Sequence, residues 1–148
     1  MSNPGKIEVD QFLPYPPAQV WRILVDPDRL AKWLMPNDFK PVVGHQFTFQ
    51  TKPMPALHFA GTIHCEVLAI EPERLLRITW ADRGGNGLDS VVTWRLEPEG
   101  RGTRMLMEHS GFDLTSPFQQ VAHRTMGSGW RSSVVQSMLK VLAEDTAA

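Results

Sequence analysis

Apolar and polar positions alternate with a period that changes several times along the chain, and each change marks an element. Ile7 and Val9 alternate with Lys6, Glu8 and Asp10, the period-2 pattern of a half-buried strand over residues 6–13. Pro14, Pro16 and Pro17 end it. Over 17–25, Val20, Trp21 and Leu24 fall at i, i+1 and i+4, which predicts a short amphipathic helix with proline in its first turn. Asp26-Pro27 then restarts the chain, aspartate as cap and proline at the first helical position, for a second short helix over 27–33. Met35-Pro36 closes it.

A long β region occupies 39–112. The pattern predicts strands over 39–43 and 46–51 paired around Gly44-His45, a proline-bounded loop at 52–57, and a long strand from His58 to Ile70. Turns at 71–74, 84–87 and 98–102 separate three more strands, over 75–81, 89–97 and 103–112. Ser116-Pro117-Phe118-Gln119 combines a cap, a proline at N1 and a glutamine at N3, a capping-box signature. It opens a helix over 117–144 on which Trp130, Val134, Met138, Val141 and Leu142 recur as one apolar stripe. At 1.5 Å per residue that helix is about 42 Å long, and Gly127 and Gly129 predict a gentle bend in its first half. The whole reads as one α+β domain over 1–148: a curved antiparallel sheet of about seven strands, in the order β-α-α-β6-α, around a long C-terminal helix.

That order predicts a cavity. Sequential strands joined by short turns make a meander that buries one face, and the terminal helix carries the stripe suited to cover it. A curved sheet does not close along the whole of so long a helix, so space is expected near one end. Strand alternation points Phe47, Phe49, Ile63, Ile78, Trp80, Val92, Trp94, Met105, Met107 and His109 inward. Trp130, Val134 and Met138 face them from the helix, and Trp33 stands near the expected rim. Interlocked, these same side chains make a solid core; Gly127 and Gly129, which leave room on the covering helix, favour a pocket.

Composition narrows the functional classes. Basic and acidic residues nearly cancel, 15 against 16, so no global field or basic stripe draws the chain to nucleic acid or to anionic lipid. No apolar run approaches the length of a membrane span. Cys65 is the only cysteine, so no internal disulfide forms, and the N-terminus lacks the basic and apolar regions of a signal peptide. A cytoplasmic protein with a small hydrophobic partner is expected, with monomer and homodimer both open.

Catalytic chemistry has one weak candidate. His109, placed inward among Met105, Met107 and Trp130, could exchange a proton with a bound carbonyl; the alternative is an imidazole bonded to a neighbouring strand or to the helix. Glu108 is adjacent and points to the other face, so the two form no dyad. His64 and Cys65 face apart likewise, and without CxxC or HxxxH spacing no metal site is expected. Cys65 reads as a small buried hydrophobe, and His45, His58 and His123 as surface positions. Ser110 lacks the Gly-x-Ser-x-Gly elbow. Gly84, Gly85 and Gly87 make no phosphate loop, so no cofactor is expected. Asp82-Arg83 and the charged 97–104 segment read as solvated loops.

Val20-Trp21-Arg22-Ile23-Leu24-Val25-Asp26-Pro27, followed by Leu30 and Trp33, resembles the first-helix signature of the SRPBCC or START-like superfamily, in the branch named for the activator of Hsp90 ATPase. Glu71-Pro72-Glu73-Arg74-Leu75 with Thr79-Trp80, Gly102-Thr103-Arg104, His109-Ser110-Gly111-Phe112 and Gly129-Trp130 follow in the family's order across nearly the whole chain. The resemblance implies a helix-grip (Bet v 1/START-like) fold with a hydrophobic cavity. Members of the wider superfamily bind lipids, sterols, polyketides or plant hormones, and some are cyclases or aromatases. No shared catalytic motif carries over. Gly44-His45 stands where many relatives have Gly-Gly, and Trp33-Leu34 where many have two aromatics, so the resemblance does not carry a ligand preference with it. The co-chaperone that names the branch has a separate N-terminal domain, which is not expected here, so its Hsp90 role transfers least directly. Three readings follow: a carrier or sensor of an apolar or aromatic molecule, a cyclase or aromatase-type enzyme using His109, and a chaperone-binding module.

Overall fold

β1 (Lys6–Leu13) runs into two short helices, α1 (Pro17–Val25) and α2 (Pro27–Trp33), which carry the chain across to the opposite edge of the sheet. β2 (Gln46–Gln50), β3 (Thr62–Glu71), β4 (Leu75–Ala81), β5 (Asp89–Glu99) and β6 (Gly102–Ser110) follow as an antiparallel meander, and α3 (Pro117–Arg131) and α4 (Ser133–Ala147) end the chain. The last strand returns to pair with the first, Ile7 opposite His109, giving the sheet order β1-β6-β5-β4-β3-β2. This computed structural model describes residues 5–57 and 59–147.

Both short helices take the predicted bounds because the local chemistry is decisive. Asp26 accepts a hydrogen bond from the Asp28 amide at 3.1 Å while Pro27 fills the first helical position, where no amide donor is needed. The sheet curves where β3 slips register between Val67 and Ala69, an irregularity that bends a strand and leaves Leu68 facing solvent.

Several expectations need correction. Among the described residues the sheet has six strands, because 39–43 does not form one. Pro41 has no amide to give a ladder. The edge of β2 is instead capped by what precedes it: Asp38 accepts from the Thr48 amide at 2.7 Å and the Pro36 carbonyl from the Gln50 amide at 2.9 Å. Phe39 turns inward, edge-on to Phe47 at 5.1 Å. β3 begins at Thr62 rather than at His58, and His58, like the N-terminal Met1–Pro4, lies outside the described residues.

The C-terminal helix is two helices broken at Ser132, and the break does not fall at the glycines. Ser132 Oγ and Ser133 Oγ both donate to carbonyls one turn back, on Ser128 (2.8 Å) and Gly129 (3.4 Å), a competition that bends helices. In α4 the buried stripe becomes Val135, Met138, Val141 and Leu142, with Val134 only half-buried against the core. Gly127 makes no room for a ligand. It faces β1 and its own helix, where a Cβ would stand 3.8 Å from Ile7 Cγ1, an ordinary contact, and 3.3 Å from the end of the Arg131 side chain.

Around Trp130 the sheet–helix interface is filled by rings. Trp130 stands edge-on to Trp80 at 5.7 Å and to Trp94 at 6.0 Å, Trp94 meets Trp33 at 6.3 Å, and Phe49 lies against Trp80 at 5.3 Å. Edge-on pairs of this kind each contribute about 0.5–1.5 kcal/mol beyond the area they bury. Truncating the ring shared by two of them is therefore costly: Trp130→Ala is expected to lower unfolding free energy by about 3–5 kcal/mol, read from urea denaturation.

Candidate functional site

His109 is fully buried in the middle of that ring cluster, and both of its nitrogens are engaged. Ser90 Oγ has one proton, which it donates to the Trp80 carbonyl at 2.7 Å. The 2.8 Å contact between Ser90 Oγ and His109 Nε2 therefore requires the imidazole to donate, which fixes the tautomer. Nδ1 is left as an acceptor and receives the Trp130 indole N–H at 3.1 Å. The chain of bonds from Trp130 through His109 and Ser90 to Trp80 ties α3 to the centre of the sheet. Burial, with a smaller repulsion from His123, pushes the imidazole pKa down from 6.5 to about 3, so the ring stays neutral. This is the alternative raised by the sequence, an imidazole bonded to both strand and helix.

The void begins at Trp80, one turn of α3 away from Trp130. A cavity of about 240 Å³ opens where the start of β3, the end of β4, the segment that precedes β3 and the first half of α3 diverge. Ile63 and Trp80 line it from the sheet, Ala122 and Met126 from α3, and Met35, Met54, Phe59 and Leu88 from the connecting segments. Thr51, Thr125, Asn86 and Asp82 complete it. Two larger grooves are charged and lie on the outside of the sheet: one of about 310 Å³ beside Glu8, Asp10, Arg77, Arg95 and Glu108, another of about 330 Å³ beside Asp38, His64, Glu66, Arg83 and Asp89.

Of the residues expected to hold a ligand, Ile63 and Trp80 line this cavity. Trp33, Phe47, Phe49, Ile78, Val92, Trp94, Met105, Met107, His109, Trp130 and Met138 are buried in the packed core, and Val134 lies half-buried against it. Reading the sequence by strand alternation missed Met35, Met54, Phe59, Leu88, Ala122 and Met126. Three methionines in segments far apart were the available signal, since an unbranched thioether suits an adaptable wall.

The rim corrects two readings. Asp82 is 1% exposed and does not belong to a solvated loop. Its carboxylate receives the amides of Asn86 at 3.2 Å and Ala60 at 3.4 Å, holding the glycine-rich turn to the 51–61 loop. Gly85 is needed there because a Cβ would fall 2.4 Å from both carboxylate oxygens. The capping box is half formed: Ser116 receives the Gln119 amide, but the Gln119 side chain accepts from the Asp113 amide at 2.7 Å and donates to the Asn86 carbonyl at 3.4 Å. It thereby pins α3 to the rim. His123 is half-buried on Phe112 at 5.1 Å, not on an open helix face. Cys65 is buried as expected, and burial with the nearby Asp38 charge raises its thiol pKa, so it is no nucleophile. Among the described residues no cluster of His, Cys, Asp and Glu could hold a metal, and no helix is long and apolar enough to cross a membrane.

A curved antiparallel sheet closed over C-terminal helices, entered at one end, defines a helix-grip protein of the SRPBCC type. Residues 14–144 match the model of the activator of Hsp90 ATPase homolog 1-like protein family, and the chain belongs to that family. Protein MLL2253 from Mesorhizobium loti is 35% identical over 94% of this chain and 97% of its own, with a TM-score of 0.83. Protein BH1534 from Bacillus halodurans is 26% identical over 96% of this chain and 99% of its own, with a TM-score of 0.74. The Aha1 dimer from Colwellia psychrerythraea, 17% identical over 93% of this chain and 95% of its own at a TM-score of 0.72, shares the fold. No curated protein matches the sequence.

The neutral, buried His109 has a consequence for stability. An unfolded histidine takes up a proton near pH 6.5, whereas the folded one resists until about pH 3. Between those values the unfolded state binds more protons, so stability is full above pH 6.5 and falls as pH drops, by up to about 1.4 kcal/mol per pH unit. His109→Gln, which keeps a donor and an acceptor without titrating, is expected to flatten this slope in urea midpoints measured from pH 7.5 to pH 5.

Proposed function

We propose that the protein binds a small apolar or aromatic molecule in the 240 Å³ cavity, as a carrier or sensor. The observation that carries this reading is the contrast within one interface. Rings fill the sheet–helix contact everywhere along Trp94, Trp130 and Trp80, yet beyond Trp80 the apolar walls stand apart. A dry apolar cavity of about 150 Å³ accepts benzene, so this one suits a substituted ring or a two-ring molecule and is small for a sterol or a long acyl chain. Met35, Met54 and Met126, contributed by three separate segments, let the wall adapt to shape.

The cyclase reading needs a proton donor facing the ligand. His109 has no free ring nitrogen and no place in the wall, which is why we favour binding without turnover. A chaperone-binding role would rest on the outer surface, and no feature of this cavity supports it.

Naphthalene-type probes are expected to raise the thermal midpoint and to change the emission of Trp80, which lines the site. Ala122→Phe, which fills the cavity from the α3 side, should weaken binding by about tenfold or more while circular dichroism stays unchanged. If no probe shifts the midpoint, or if the variant binds as tightly as the parent, the reading fails.

A further inference from the structure

The outer face of the sheet, away from the helices, sorts its charges by strand. The register aligns side chains there into rows that cross β4, β5, β6 and β1. One row reads Arg77, Thr93, Glu108 and Glu8; the next reads Leu75, Arg95, Leu106 and Asp10. The arginines thus stand on β4 and β5 and the carboxylates on β6 and β1, on opposite sides of the groove of about 310 Å³. One row further on the order reverses, with Glu97 on β5 beside Arg104 on β6.

Within one chain these charges are unevenly matched. Arg104 donates to Asp10 at 2.9 Å, and Lys6 serves both Glu8 at 2.7 Å and Glu108 at 3.1 Å, one cation for two carboxylates. Among the described residues neither Arg77 nor Arg95 forms an ion pair; Arg77 donates to the Thr93 hydroxyl at 3.1 Å. Glu8 and Arg77 end their row three strand spacings apart, about 14 Å, too far to meet in the same molecule.

We propose that this face docks a second copy of the chain, outer sheet against outer sheet, about a two-fold axis parallel to the strands and midway between β5 and β6. Such an axis lays β4 over the partner's β1 and β5 over the partner's β6, row on row. Arg77 then meets the partner's Glu8, Thr93 the partner's Glu108 and Glu97 the partner's Arg104. Arg95 covers the partner's Leu106, with the partner's Asp10 and the partner's Glu108 on either side. No like charges face each other. Moving the axis onto β5 sets Arg95 on its own copy, moving it onto β6 sets Glu108 on its own copy, and turning it across the strands sets the acidic β1 on itself. A two-fold contact needs a surface complementary to itself, and charge order fixes its register more than its strength. Exposed ion pairs contribute little each, and a curved face limits the area, so the dimer is weak and sensitive to salt.

Sedimentation equilibrium of the full chain at low salt should show dimer growing in between about 10 and about 500 μM protein, and about 0.5 M sodium chloride should weaken it at least about fivefold. Arg77→Glu, which sets a carboxylate against the partner's Glu8, should weaken the dimer about tenfold or more, and so should Glu8→Arg alone. Mixed in equal amounts, the two variants should associate with each other more tightly than either does with itself, because every facing pair in the mixed dimer is again of opposite sign. Circular dichroism checks that both variants are folded; if Arg77→Glu is not, Arg95→Glu, brought between the partner's Asp10 and the partner's Glu108, tests the same contact. A parent that stays monomeric up to about 1 mM overturns the proposal. So does a dimer that these charge reversals leave unchanged, or a mixture that shows no preference for the mixed pair.

Discussion

The constraint on which the rest depends is the meeting of Trp80, Trp94 and Trp130 between sheet and helix. Close-packed interiors leave few voids, and large rings set edge-on hold two layers at a fixed separation. Trp130 comes from α3, Trp80 and Trp94 from neighbouring strands paired in register, so their contact fixes both the height of the helix above the sheet and its position along it. Where the rings end the layers are still held apart, and the side chains beyond them, Ala122 on the helix and Ile63 on β3, are too short to close the gap. The cavity is a by-product of ring size at its neighbour.

Hydrogen bonding makes that packing directional. The relay from the Trp130 indole through His109 and Ser90 to the Trp80 carbonyl has a single consistent arrangement of donors and acceptors. Every member is buried, so any other arrangement strands a polar atom out of reach of water. The result is a rigid inner end to the cavity. Its outer end is governed differently, by the Asp82 carboxylate gathering two loops and by Gln119 bridging from the start of α3 to Asn86. Packing decides how deep the site is, and backbone amides held by side chains decide the shape of its mouth.

Much of the fold was legible in the sequence. The two short helices, the meander and the closing helical segment follow from caps, prolines and periodicity that act within a few residues. The errors fell where hydrogen bonds that the apolar periodicity does not register, some local and some distant, decide. Residues 39–43 read as a strand, but β2 already had its edge capped by Asp38 and Pro36. A single long helix read naturally from one apolar stripe, but Ser132 and Ser133 bond back to the preceding turn. Asp82 read as solvated because nothing nearby in sequence reveals that Ala60, 22 residues away, delivers an amide to it.

The sequence by itself determined which residues are apolar on one face, and hence that a curved sheet grips a helix over a core of rings. It did not determine which of those residues line open space. Alternation reports the side of a strand a residue lies on, whereas a void depends on whether side chains from separate segments reach one another. Only the tertiary structure decided that Trp94, Trp130 and His109 interlock while Met35, Met54, Phe59 and Met126 stand back around a cavity. Contact between residues far apart in sequence is a property of the folded chain, and no local pattern encodes it.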